Sequence, residues 1–202
     1  MKQYLTFLVI LFSSVANAQI IDFNNFSEKR MNEVMFDEMN KYVKSIHNED
    51  SLTWSSVVQQ DVMADNYNFI RSNSSNNLMK LHNPKWLGRD WNDLPDTVRT
   101  KIITEMEIKF PQSEFLKKNK LENYEGYSAF TYTEILHSIT FSGSYPSITY
   151  QEIARGAIKG WNNSPPHALY MNANYKNGVI VGVATVFDKK KRTIIISFVH
   201  VS

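Results

Sequence analysis

Two apolar runs close the chain, Val179 to Phe187 and Thr193 to Val201, and both are rich in β-branched residues. Successive side chains of a strand point to opposite faces, so a half-exposed strand alternates apolar with polar. These two do not alternate. A strand apolar on both faces needs cover on both. Asp188 to Arg192 between them is a charged connection of hairpin length. The end of the chain therefore predicts an antiparallel pair inside a sheet covered on two sides.

The covering material lies upstream. From Phe26 to Ile46, the residues Met31, Val34, Met35, Met39, Tyr42, Val43 and Ile46 recur at three and four, which draws one apolar stripe on a helix. The methionines there are core packing. Asn48-Glu49-Asp50 breaks the pattern. A second helix is expected from Ser51 or Leu52 to about Ile70, with Trp54, Val57, Val58, Val62 and Phe69 on its buried side. Ser72 to Asn77 reads as a loop. Pro95 and Pro111 bracket a third helical pattern in which Val98, Ile102, Ile103, Met106 and Phe110 share a face and Asp96 serves as cap. Leu116 to Glu125 is charged and expected to be exposed. Phe130 to Phe141 alternates and predicts a strand. Thr149-Tyr150-Gln151-Glu152 fits a capping box, in which Thr and Glu satisfy each other's backbone N–H groups. The helix behind it buries Ile153, Ala154, Ala157, Ile158 and Trp161 and is stopped by Pro165-Pro166. Trp54 and Trp161 are both expected in the core. This order of elements is α+β, with helices packed on a small antiparallel sheet.

The first residues have the form of an export signal. Lys2 supplies the positive start, Tyr4 to Phe12 the apolar run, and Ala16-Asn17-Ala18 a small-x-small cleavage site. Cleavage after Ala18 leaves residues 19–202 as one domain beginning at Gln19. The apolar run is shorter than the roughly 20 residues of a membrane-crossing helix, and no second such run follows, so no transmembrane anchor is expected. An exported chain usually leans on disulfides, but this one has no cysteine, so packing must hold it. The formal charge is +2, and removing Lys2 lowers it by one. A chain this balanced has no electrostatic footprint for nucleic acid. Lys189-Lys190-Lys191-Arg192, the one basic run, reads as a solvated hairpin tip.

Three stretches resemble bacterial members of the CAP superfamily, the fold of cysteine-rich secretory proteins, antigen 5 and pathogenesis-related 1 proteins. They are Met39 to Val43 followed by Leu52-Thr53-Trp54; Leu81-His82-Asn83; and Gly160-Trp161-Asn162-Asn163-Ser164-Pro165-Pro166-His167, with Met171 to Tyr175 and Gly182-Val183-Ala184 after it. The third is the most specific, being similar to a Trp-x-x-Ser-Pro-x-His segment. The likeness runs from about Phe26 to Val201 apart from residues 85–127, which look like an insertion. It implies a three-layer α-β-α sandwich and a cleft lined by His82, Glu134 and His167. Only the Glu of the family's Gly-Glu-Asn motif survives, in Thr133-Glu134-Ile135, and the position of the second acid holds Ser164. Two imidazoles and a carboxylate suit Zn²⁺. His137 and His200 are expected to be structural.

The resemblance implies a non-enzymatic exported module that binds a small ligand, a lipid, a metal, a peptide or a protein partner. The alternative is a metal-dependent hydrolase of peptide or cell-wall substrates, which would need a general base beside the metal. A third reading is an interaction protein that makes its contacts through Pro84 to Tyr127. Nothing in the sequence supplies a thiol, a Ser-His-acid set or a phosphate loop.

Overall fold

A computed structural model describes residues 19–47, 51–72, 91–113, 116, 130–172 and 179–202. The signal segment, Asn48-Glu49-Asp50, the loop from Asn73, His82, and Ala173 to Tyr175 lie outside the described residues, as does the Phe69 side chain. Helices α1 (Glu28–Ile46), α2 (Ser56–Ser72) and α3 (Asp96–Lys109) precede strand β1 (Tyr132–Thr140). Helices α4 (Tyr150–Asn162) and α5 (Pro165–Met171) follow, and then β2 (Ile180–Asp188) and β3 (Thr193–Val201). The protein is α+β.

The three strands form one antiparallel sheet in the order β1-β3-β2. The terminal hairpin is as expected, and β3 takes the centre, with Glu134 opposite Val199 and His137 opposite Ile196. Both faces of β3 are buried along its whole length. On one face Ile135, Val181, Val183, Ile194, Ile196 and Phe198 meet Met31, Met35 and Met39 of α1 and Ala154, Ala157 and Trp161 of α4. On the other, Tyr132, Ile180, Ala184, Val199 and Val201 meet Val58 and Val62 of α2, Trp91, and Ile102 and Met106 of α3. The stretch between 91 and 113 thus contributes core side chains. Leu116, expected exposed, is buried with them.

The local signals that set these elements are mostly visible in the chain. Ser27 caps α1, its hydroxyl accepting from the Arg30 N–H at 3.1 Å. The Thr149–Glu152 capping box is present in both directions. Ile46, placed on the apolar stripe of α1, is instead exposed in the last turn. Asp96 opens α3 as its first helical residue and pairs with Arg99 rather than capping, because Pro95 occupies the cap position.

The start of α2 differs from expectation. Residues 51–55 are extended, and Trp54 bridges Val181 in parallel. The Ser55 N–H donates to Val181 O at 2.7 Å, and the Val181 N–H to Thr53 O at 2.8 Å. These bonds satisfy backbone groups that the outer edge of β2 would otherwise leave bare. Ser55 becomes the cap, its hydroxyl accepting from the Val58 N–H. Trp54 is half-buried, its ring edge-on to Phe36 at 5.0 Å, and is not a full core residue.

At Gly182 α2 crosses directly over β2. A Cβ there would come within 2.7 Å of both the Gln59 backbone N and Val58 Cγ1. Gly182→Ala should therefore lose about 1–3 kcal/mol, the usual range for overpacking. Urea denaturation checks this, and an unchanged midpoint would mean that α2 does not lie against this strand.

The hairpin tip is solvated only in part. Lys189 and Lys190 are exposed, but Arg192 adopts φ 56° and lays its guanidinium 4.3 Å from the centre of the Tyr145 ring. Tyr145 in turn stacks on Phe23 at 4.2 Å. The basic run is split between water and an aromatic cluster.

Candidate functional site

The three histidines of the described C-terminal half come from three elements, and the two on the sheet, His137 and His200, share one face four register positions apart. His200 lies on β3 between Thr133 and Val181. Val181 belongs to the α1–α4 side of the sheet, which places His200 there. His137 lies opposite Ile196, so it faces the same way. His167 stands on α5, which follows α4 after a single turn.

Pro165-Pro166 explains where His167 sits. The prolines do end α4, as expected, but they also begin α5, occupying its first two positions behind the Ser164 cap. Proline suits that place, since its missing N–H would have no helical partner there. His167 is therefore a helical residue with an orientation fixed by α5, half-buried between the sheet and solvent.

Trp161 joins α4 to β1. Its indole N–H donates to the Leu136 carbonyl at 2.8 Å, and its ring meets His137 edge-on at 6.2 Å. Gly160 makes room for that imidazole: a Cβ there would lie 3.0 Å from His137 Cε1. The His200 ring faces Tyr170 of α5 at 6.4 Å. The far side of the corner is tied to α1, where the Tyr42 hydroxyl donates to Asn162 Oδ1 at 2.9 Å and lies 3.4 Å from Asn172 Oδ1.

All three imidazoles are held toward their neutral forms. Burial pushes His200 down to about 4. Burial also lowers His137, and the charge of nearby His167 adds to the effect. His167 is lowered by burial alone. A neutral imidazole offers one N–H donor and one lone pair. The corner can therefore donate to, accept from or ligate a bound group.

The expected trio is not brought together. Glu134 lies opposite Val199, a member of the α2–α3 cluster, so it projects to the other face of the sheet from His137 and His200. The period of two along β1 sends residues 134 and 137 to opposite sides. A Zn²⁺ centre built from His167 and Glu134 does not fit this arrangement, and among the described residues no group of three His, Cys, Asp or Glu side chains could hold a metal ion. His137, expected to be structural, lies on the face that carries His200 and α4. Its odd-numbered parity with Ile135 and Ile139 was the available signal, but nothing local says which face meets α5.

Among the described residues no helix is long and apolar enough to cross a membrane. Compared with known protein families, with curated proteins and with solved structures, the chain matches none.

Proposed function

We propose that the protein is an exported, non-enzymatic binding module of the CAP-like type, and that its ligand site is the imidazole corner where α5 crosses β1. The observation that carries this reading is that α5, which bears the half-buried His167, packs against β1, which bears the half-buried His137. Two half-buried neutral imidazoles each offer a lone pair that a ligand can meet. Further support comes from the Trp161 to His167 segment, which resembles the family's most specific motif. The helices on both faces of the sheet suit a three-layer α-β-α sandwich, and the Ala16-Asn17-Ala18 site suits export. The ligand is a small group that meets two imidazoles. The resemblance pairs His167 with His82, which is a further candidate contact.

Zn²⁺ is the simplest probe. The chain beginning at Gln19, purified without chelator, should bind Zn²⁺ at pH 7.5 in a calorimetric titration. His167→Ala should abolish binding and His137→Ala should weaken it, both with little change in melting temperature. Protonated imidazole cannot ligate, so affinity should fall with acidification. Because burial holds both rings below the reference value of about 6.5, the fall should begin below that pH. Absence of Zn²⁺ binding, or binding untouched by both substitutions, would overturn the imidazole site.

A further inference from the structure

We infer that Tyr42 is the positioning residue of this corner, tying the end of α4 to the cap residue that closes α5 so that His167 is fixed over the sheet; the inference rests on the binding reading above. Helix α5 spans only Pro165–Met171. A helix this short has little stability of its own, because the costly first turn is most of it. Its cap Ser164 makes no side-chain hydrogen bond to it, and Leu169 turns outward to solvent, while Met171 anchors its last turn in the α1–α4 core and Tyr170 meets the His200 ring. These contacts hold the C-terminal turn of α5, and a polar contact from α1 reaches both that turn and the joint with α4.

Tyr42 reaches it from α1. Its ring packs against the α1–α4 core cluster. Its hydroxyl donates to Asn162 Oδ1, on the last residue of α4, and approaches Asn172 Oδ1, on the cap residue that ends α5. Asn172 is locked to the last turn in two ways: its side-chain amide donates to Ala168 O at 2.8 Å and its backbone N–H to the same carbonyl at 3.1 Å. One hydroxyl proton is thus shared between the end of α4, its nearer acceptor, and the cap of α5, with His167 between them. Tyr42 touches no ligand group itself. It acts through the helix.

The test uses Tyr42→Phe, which keeps the ring and removes only the hydroxyl, in the full mature chain with Zn²⁺ as probe. The Zn²⁺ dissociation constant should rise about tenfold, the low end for losing a group that orients a ligand. Asn172→Ala should do the same, and the double variant should be no weaker than either single one, because all three disrupt one unit. Val43→Ala, which trims a fully buried neighbour on α1, should lower the melting temperature more than Tyr42→Phe while leaving Zn²⁺ affinity unchanged. Equal weakening by Val43→Ala, or wild-type affinity in Tyr42→Phe, would overturn the positioning role. Amide exchange gives a second reading that needs no ligand. The Ala168 and Asn172 N–H groups should exchange severalfold faster in Tyr42→Phe, with Ile153 in α4 unaffected. If the wild-type chain binds no Zn²⁺, the binding reading fails, and unaltered exchange in α5 would separately remove the clamp.

Discussion

Trp161→Ala is expected to cost about 3–5 kcal/mol, the range for truncating a large buried aromatic side chain. Trp161 is 1% exposed at the end of α4. Its ring touches both structural and site residues, with Phe198 at 6.4 Å and His137 at 6.2 Å. The loss has two parts. Removing the ring opens a void between α4 and the sheet, which the surroundings fill only partly. Removing the indole N–H strands the Leu136 carbonyl on β1, an outer strand of the sheet. Trp161→Phe separates them: it restores much of the packing but not the donor, and should recover all but about 1–2 kcal/mol. Chemical denaturation of the three proteins at pH 7.5 checks the order wild type, Phe, Ala. An Ala variant that melts within about a degree of wild type would mean that Trp161 is not where α4 meets β1.

The helix faces and the terminal hairpin were legible because their signals are local. The spacing of Met31, Met35 and Met39, the Thr149–Glu152 box and the unbroken apolar runs each specify an element without reference to distant residues. Two boundaries were misplaced for the same kind of reason. Ser51 and Ser55 are equally good caps in sequence; Ser55 wins because the backbone of residues 53–55 pairs with Val181, more than a hundred residues away. Pro165-Pro166 reads as a stop, and only the turn at Ser164 shows that it is also a start.

The site was less legible because it depends on faces and order. Glu134 stood out as a carboxylate in an apolar stretch, yet strand parity sends it away from His167. His137 carried no local mark of function. Its neighbourhood exists because β1 pairs with β3 rather than with β2, and because α4 ends beside it. Tyr42 sits on a stripe whose periodicity says only that it faces inward; its hydroxyl finds Asn162 and Asn172 through tertiary packing.

Acidification should destabilise the protein by about 3 kcal/mol through His200 alone. The ring is 8% exposed, and burial pushes it from 6.5 down to about 4. Its folded-state value is depressed, so the unfolded chain binds the proton more readily, and stability rises with pH wherever that holds. The contribution is fully present above about 6.5, and it is lost as pH falls from there toward 4. At about 1.4 kcal/mol for each pH unit, that interval amounts to about 3 kcal/mol. Burial lowers His137 and His167 too, so they act in the same direction and begin in the same range. The carboxylates of Glu38 and Glu152, held below their ordinary values by their hydrogen-bond partners despite some burial, lose their contribution only at lower pH. Urea midpoints between pH 7.5 and 4.5 therefore isolate the imidazoles. Wild type should weaken steadily below about pH 6.5, and His200→Leu should remove most of that slope, leaving the share of His137 and His167. A flat wild-type profile, or a His200→Leu variant as pH-sensitive as wild type, would show that His200 is not buried in its neutral form beneath α5.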